Sequence, residues 1–253
     1  MKIADRIYLI GSGAVGLSDP GDCHVYLIDG GDELAVVDAG CGEGTERLVK
    51  NMAADGFDPG AVSVVLLTHA HRDHANGACE IRSRLAERGA PVQVLTSAAE
   101  ARLLADGTPV ELGLDLLGYR GQPRSEVFPP CRVDRTVGDG ETIPVGDLEV
   151  QAIEVPGHNP GCLCYLVKVG GLRCLLCGDV IYRGGVISLG NWPGSNLQAY
   201  RAGLTKLAGQ GIDALLPGHG LWTLRDGQTH IDQAIETFAG LWPPLNVNYG
   251  AII

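Results

Sequence analysis

No apolar run in this 253-residue chain approaches the roughly 20 residues that a bilayer-spanning helix needs. Its start, Lys2-Ile3-Ala4-Asp5-Arg6-Ile7-Tyr8-Leu9-Ile10, lacks the basic region, apolar stretch and small-residue cleavage site of a secretory leader. The sequence therefore predicts a cytoplasmic protein with no membrane association. Positive charge is also short: 19 Lys and Arg face 30 Asp and Glu, for a net charge of −11. That balance repels phosphate backbones and anionic lipid, which excludes nucleic acid as the expected partner. Low-complexity stretches are missing. Eight cysteines are present, but none sits in a set resembling a structural zinc site, and without a leader they are expected to be reduced and buried. Cys174-Leu-Leu-Cys177 has redox-motif spacing, yet lies inside an apolar run where two small core residues are the simpler reading. Cys162 and Cys164 are two apart and would share one face of a strand.

Apolar residues make up 45% of the chain and charged residues 19%, the balance of a folded globular protein. The length suits one domain, taken as residues 1–253. Several short apolar runs end abruptly in turn residues: 34–37 before Asp38, 62–67 before Thr68, 148–155 before Pro156, 172–177 before Gly178 and 212–216 before Pro217. Strand length and near-continuous apolarity suit strands covered on both faces. Between them, 45–54, 76–87, 98–105, 197–207 and 229–238 have helical composition. Strands alternating with helices predict an α/β architecture with helices packed over sheet. Residues 106–130, with several Gly and Pro and no clear period, read as a connection between halves or a lid over a site.

The strongest local signal is His69-Ala-His71-Arg-Asp73-His74, directly after a buried run. Imidazole and carboxylate suit a borderline ion such as zinc, with iron or manganese as substitutes. On an extended segment His69 and His71 point the same way and could clamp one ion. Asp73 and His74 follow the turn and could reach a second. Only seven histidines are present. Two more, His158 and His219, each follow Pro-Gly at the end of an apolar run, and Asp179 follows Cys177-Gly178 likewise. Groups gathered at strand carboxyl ends line one sheet edge, where open α/β folds carry their sites.

These residues resemble the metallo-β-lactamase fold superfamily over nearly the whole chain. Asp38 in Val-Val-Asp-Ala-Gly is similar to its first motif, usually structural, in which an aspartate supports the metal loop. His69 to His74 match the second, His158 the third, Asp179 the fourth and His219 the fifth. The resemblance implies a four-layer αβ/βα sandwich with metals at the edge between two central sheets. It implies that His69, His71 and His158 hold the first metal, that Asp73, His74 and His219 hold the second, and that Asp179 bridges them. His24 and His230 match no ligand motif and are expected to be structural or surface residues.

Two divalent ions, zinc first among the candidates, would ionise water near neutral pH, polarise a carbonyl and steady a leaving group. The expectation is a metal-dependent hydrolase in which a metal-bridging hydroxide attacks an ester, thioester or lactone of a small-molecule substrate. Asp73 is the candidate to orient the nucleophile or accept its proton. A phosphodiester would also suit a two-metal clamp. A mononuclear-iron persulfide dioxygenase is the alternative from another reaction class. β-Lactam hydrolysis would be a side activity, since the β-lactamases sharing His-x-His-x-Asp-His lack an acid at the fourth motif. Pro156 to Tyr165 resemble the third motif of glyoxalase II, where a tyrosine at the place of Tyr165 helps bind substrate. The chain leaves little room for that enzyme's helical substrate domain. Tyr182, Asn191 and Trp192, following Asp179, are further candidates to line a pocket. The apolar tail from Leu241 onward is expected to dock on the body or on a second copy in a homodimer.

Overall fold

The computed structural model describes residues 1–89 and 91–247. Strands β1 (Lys2–Ala4), β2 (Ile7–Gly11), β3 (Val25–Asp29), β4 (Leu34–Val37), β5 (Val62–Leu66), β6 (Gln93–Thr96) and β7 (Arg135–Thr136) form one sheet in that order. Its first four strands are antiparallel, and β4 to β7 run parallel. The second sheet holds β8 (Thr142–Val145), β9 (Leu148–Glu154), β10 (Leu163–Val169), β11 (Leu172–Gly178) and β12 (Ala214–Pro217), ordered β12-β11-β10-β9-β8. Here β8 to β11 are antiparallel, with β12 parallel to β11. The helices are α1 (Thr45–Ala54), α2 (Arg72–Ala75), α3 (Ala78–Ala86), α4 (Ala98–Asp106), α5 (Arg124–Val127), α6 (Leu197–Leu204) and α7 (Gly227–Ala239).

Three apolar clusters define four layers. Tyr26, Val37 and Leu66 of the first sheet meet Val150, Tyr165 and Leu176 of the second in a central core. The other face of the first sheet packs Val25, Leu27 and Val36 against Leu48 and Met52 of α1, Ile81 of α3 and Leu104 of α4. The other face of the second sheet packs Ile153, Cys164 and Leu175 against Tyr200 of α6 and Ile231 and Phe238 of α7. Helices therefore cover both outer faces, giving an αβ/βα sandwich. Strands covered on both sides must be apolar at consecutive positions, which is why the runs stood out in the sequence.

The helix over 45–54 coincides with α1. The helix expected from Asn76 begins at Ala78, because Gly77 donates its N–H to the Gly40 carbonyl (3.0 Å) and the Asn76 amide to the Cys41 carbonyl (2.6 Å). Those bonds hold the two residues against the loop after β4. The helix expected over 197–207 ends at Leu204 and finishes as one tighter turn, Thr205–Leu207. Cys174 faces the central core and Cys177 the outer one, so they point to opposite sides of β11. Cys162 and Cys164 do share a face.

Residues 106–130 are docked rather than free. Leu112, Leu114, Val127 and Phe128 are buried in the outer core beside α4. The Arg124 guanidinium donates to the carbonyls of Leu103 (3.2 Å), Leu104 and Ala105 (3.0 Å), where a cation suits the carboxyl end of α4. Val110, Leu116 and Leu117 remain exposed. Of the tail, Leu241, Trp242 and Leu245 are exposed, while Val247 donates its N–H to the Ile187 carbonyl (2.8 Å). Residues 248–253 lie outside the described residues. No described helix is long and apolar enough to cross a membrane.

Candidate metal centre

Asp38, the His69–His74 segment, His158, Asp179 and His219 follow the carboxyl ends of β4, β5, β9, β11 and β12 respectively. The sandwich brings those ends to one edge. Beyond β5 the chain stays extended through His71, which caps α2, so alternate side chains share a direction. Accordingly His69 Nε2 and His71 Nδ1 stand 3.1 Å apart. His158 Nε2 completes a triad, 3.1 Å from the first and 2.9 Å from the second. Asp73, His74 and His219 form the other group. Here His219 Nε2 is 2.9 Å from Asp73 Oδ2 and 3.2 Å from His74 Nε2.

Asp179 lies between the two. Its Oδ1 is 3.3 Å from His74 Nε2 and 3.6 Å from His219 Nε2, and its Oδ2 is 3.6 Å from His158 Nε2. Oδ1 is buried without a hydrogen-bond partner. A carboxylate oxygen left in that state is costly unless a cation supplies the missing contact.

The hydrogen bonds behind the rings set which nitrogen is bare. His74 Nδ1 meets Asp38 Oδ2 at 2.8 Å and donates to it. His158 Nδ1 can only donate to the Ser188 carbonyl, 2.8 Å away. The Thr68 hydroxyl gives its proton to the Asp38 carboxylate (2.9 Å), so at 3.0 Å it accepts from His69 Nδ1. His69 and His158 thus turn an unprotonated Nε2 into the site, and second-partner bonds of this kind are how metal-ligating imidazoles are oriented. In the first triad the His69 and His158 Nε2 lone pairs face each other at 3.1 Å and cannot hydrogen-bond one another. Four-coordinate zinc at its usual Zn–N distance would hold them about 3.3 Å apart. The donor set of the first triad therefore fits a divalent ion.

Burial keeps the first triad uncharged: it pushes His69 well below the ordinary imidazole value, His71 down to about 3 and His158 downward. In the second group burial acts the same way but is outweighed. Cys23, Asp179, Asp73 and Asp38 hold His74 above its usual value, and Asp179 and Asp73 do so for His219. The anionic side of the centre is the second group.

The four pocket candidates separate. Trp192 stands edge-on to His71 and His158, each centroid 5.1 Å away, and its indole N–H donates to the His158 carbonyl (2.9 Å). Tyr182 is buried against Asp179, its hydroxyl pushed well above the usual phenol value by burial and then by that carboxylate. Asn191 is exposed. Tyr165 is a correction: it is fully buried in the central core, and its hydroxyl donates to the Leu67 carbonyl (2.8 Å). It pins the second sheet to the strand exit leading into His69 and does not face the centre. His24 is structural, with Nδ1 on Ser12 Oγ (2.9 Å) and Nε2 on the Gly220 carbonyl (2.8 Å). His230 lies outside the centre, accepting the Gly184 N–H (3.1 Å).

Sequence reasoning missed Thr68, Ser188 and Tyr200. The Tyr200 hydroxyl shares its proton between the Val180 and Asp179 carbonyls and accepts the Ser188 N–H (3.3 Å), bracing two loops of the centre. It also missed Glu100, whose carboxylate is buried behind the first triad. The only sequence signal there is Ser97-Ala-Ala-Glu100, which reads as a helix start.

The family model of the metallo-beta-lactamase superfamily matches residues 18–219, and the chain belongs to that family. Within it the chain is a metallohydrolase, and the relatives that follow are named as thioesterases or a hydrolase. It is 28% identical over 216 residues to the acyl-coenzyme A thioesterase MBLAC2 of Gallus gallus, covering 78% of this chain and 72% of that one. It is 28% identical over 167 residues to the hydroxyacylglutathione hydrolase of Cupriavidus taiwanensis, covering 65% and 51%. An atrochrysone carboxyl ACP thioesterase of Aspergillus fumigatus is 22% identical over 92% of this chain and 62% of its own. Among solved structures, the subclass B3 metallo-beta-lactamase BJP-1 of Bradyrhizobium japonicum superposes with a TM-score of 0.70 at 23% identity, over 93% and 89% of the chains. That likeness concerns the fold alone.

Proposed function

We propose that this protein is a dinuclear metal-dependent thioesterase acting on a small acyl thioester. The observation that carries the reading is the pair of three-residue ligand groups with Asp179 presenting one oxygen to each. His69, His71 and His158 would hold one ion, and Asp73, His74 and His219 the other. Bound there, two divalent ions, zinc by preference, supply a water ionised near neutral pH and a Lewis acid for a carbonyl oxygen. The chain's own groups do the rest. Asp73, about one-third exposed, is the ligand carboxylate that reaches the open side, where it orients the attacking water and takes its proton. Trp192 forms an apolar wall beside His71 and His158 for the acyl group. Tyr182 backs Asp179.

A thioester is favoured over an ester or lactone because the substrates in the relatives' names differ in leaving group but share an acyl–sulfur bond. A thiol with a pKa near 8.5 also leaves more readily than an alkoxide. The test is metal content per chain on protein purified without added metal, alongside initial rates on matched thioester, ester and lactone substrates. About two ions per chain, with thioester hydrolysis lost on chelation and restored by zinc or manganese, is expected. A metal-replete protein that leaves every thioester intact overturns the reading. One iron per chain without hydrolysis moves it to the persulfide dioxygenase reaction.

A further inference from the structure

α4 opens with a Ser97 cap whose hydroxyl oxygen accepts the Glu100 N–H (3.3 Å). In the usual form of this motif the acidic side chain reaches back to the N–H of the capping residue. Glu100 does not. Its carboxylate is turned into the protein, with no exposed surface, and accepts three hydrogen bonds. Oε2 takes the Ala70 N–H (2.8 Å) and the Asn159 side-chain amide (2.7 Å), while Oε1 takes the Gly161 N–H (2.8 Å).

The placement of those donors is informative. Ala70 lies between His69 and His71, and Asn159 follows His158. One carboxylate therefore ties together the two segments, 89 positions apart, that supply all three imidazoles of the first triad. The Ala70 segment also carries Asp73 and His74, three and four positions on, but Glu100 bonds to neither of them nor to the loop of His219. No cation is among its three partners, so burial raises its pKa to about 7 while the hydrogen bonds oppose that rise. A carboxylate kept in such surroundings costs stability, which a mere anchor for α4 would not require.

We propose that Glu100 is the positioning residue of the first metal triad, fixing the spacing of His69, His71 and His158 and so setting the affinity of that site alone. The inference rests on the metal reading of the centre given above. Glu100→Gln exchanges one acceptor for an NH2 of the same shape. Whichever way the amide is turned, a donor then faces a donor, either Gly161 N–H or the pair from Ala70 and Asn159.

The test is zinc affinity by competition with a chromophoric chelator, in two backgrounds. His219→Ala leaves the first site to be read, and His71→Ala leaves the second. Adding Glu100→Gln should weaken zinc about 10–100-fold in the first background and less than about threefold in the second, as loss of an outer partner typically does. Equal weakening in both, or in neither, overturns the proposal. Should Glu100→Gln fail to fold, Asn159→Ala removes one strand of the clamp and should weaken the first site selectively; unchanged affinity overturns the proposal there too. A parent protein that binds no zinc overturns the metal reading and this inference with it. A parent that binds two ions, with the Gln variant indistinguishable, overturns only the role of Glu100.

Discussion

Asp38 and His74, 36 positions apart, are joined by a 2.8 Å bond between Oδ2 and Nδ1, and both are shut off from solvent. The same carboxylate receives the Thr68 N–H and hydroxyl, and Thr68 in turn accepts from His69. One residue outside the ligand set thus orients a ring in each half of the centre. It does so from a left-handed backbone (φ 63°), which aspartate tolerates better than most residues.

Asp38→Ala strands three buried donors. At about 1–3 kcal/mol each, the expected loss is about 3 kcal/mol or more. In a chain of this size that is a fall of roughly 6 °C or more in Tm, measurable on metal-free protein. Zinc binding should weaken about 10–100-fold. An unchanged melting curve would remove Asp38 from its supporting role.

Asp179→Ala should leave the far-UV circular dichroism intact while reducing bound metal below two ions per chain. Hydrolysis should fall at least about 100-fold, since the carboxylate between the ions is lost. Full activity in this variant would dispose of the bridged centre.

Gly218 lies where a Cβ would stand 2.5 Å from His74 Cε1 and 2.8 Å from Asp179 Oδ1. Gly218→Ala alters no ligand, yet it must displace two. A shift approaching 1 Å is enough to cost about 100-fold in rate. Metal analysis and kcat on the purified variant would check this; a wild-type rate would show that the loop yields without disturbing the centre.

Burial pushes the His24 imidazole down to about 4 from an ordinary 6.5. The unfolded chain therefore binds this proton more readily than the folded one between those values. His24 lowers stability as pH falls from 6.5 through 4, by up to about 3 kcal/mol, and not above that window. Denaturant unfolding of metal-free protein from pH 4 to 7 should show a steeper acid loss in the parent than in His24→Gln. Parallel curves would contradict it.

The observed bond from Trp192 to the His158 carbonyl and the wall proposed for the acyl group can be separated by mutation. Trp192→Phe keeps a wall beside His71 and His158 but drops the bond to the His158 carbonyl. Trp192→Ala also removes the wall, losing roughly 1.5–3 kcal/mol of apolar burial for a bound acyl group. KM should rise about tenfold or more for Ala and much less for Phe. Equal KM values across the three proteins would move the acyl group elsewhere.

The strands and the candidate ligands were legible because each carries a local signal. Doubly covered strands must be apolar, and His69 to His74 crowd ligating side chains into six residues. What stayed hidden depends on which distant residue arrives next door. Glu100 looks like an ordinary acid in a first helical turn until Ala70 and Gly161 are brought to its carboxylate. Tyr165 matches a motif position by sequence, but its strand register turns it inward to Leu67. The serine at 188 contributes only its backbone N–H and carbonyl, which sequence does not distinguish from any other.

Neither sheet owns a complete set of the proposed ligands. The first triad takes His69 and His71 from the loop after β5 but His158 from the loop after β9, and the second group is divided likewise. A chain with its sheets undocked can chelate only weakly, so the ions would act as staples whose binding is linked to folding. Free metal at about 100 times its Kd would add about 2.7 kcal/mol to the stability of the whole molecule. In a metal-poor medium a chelator would then behave as a mild denaturant, and the supply of zinc would set how long the protein survives as well as how fast it works.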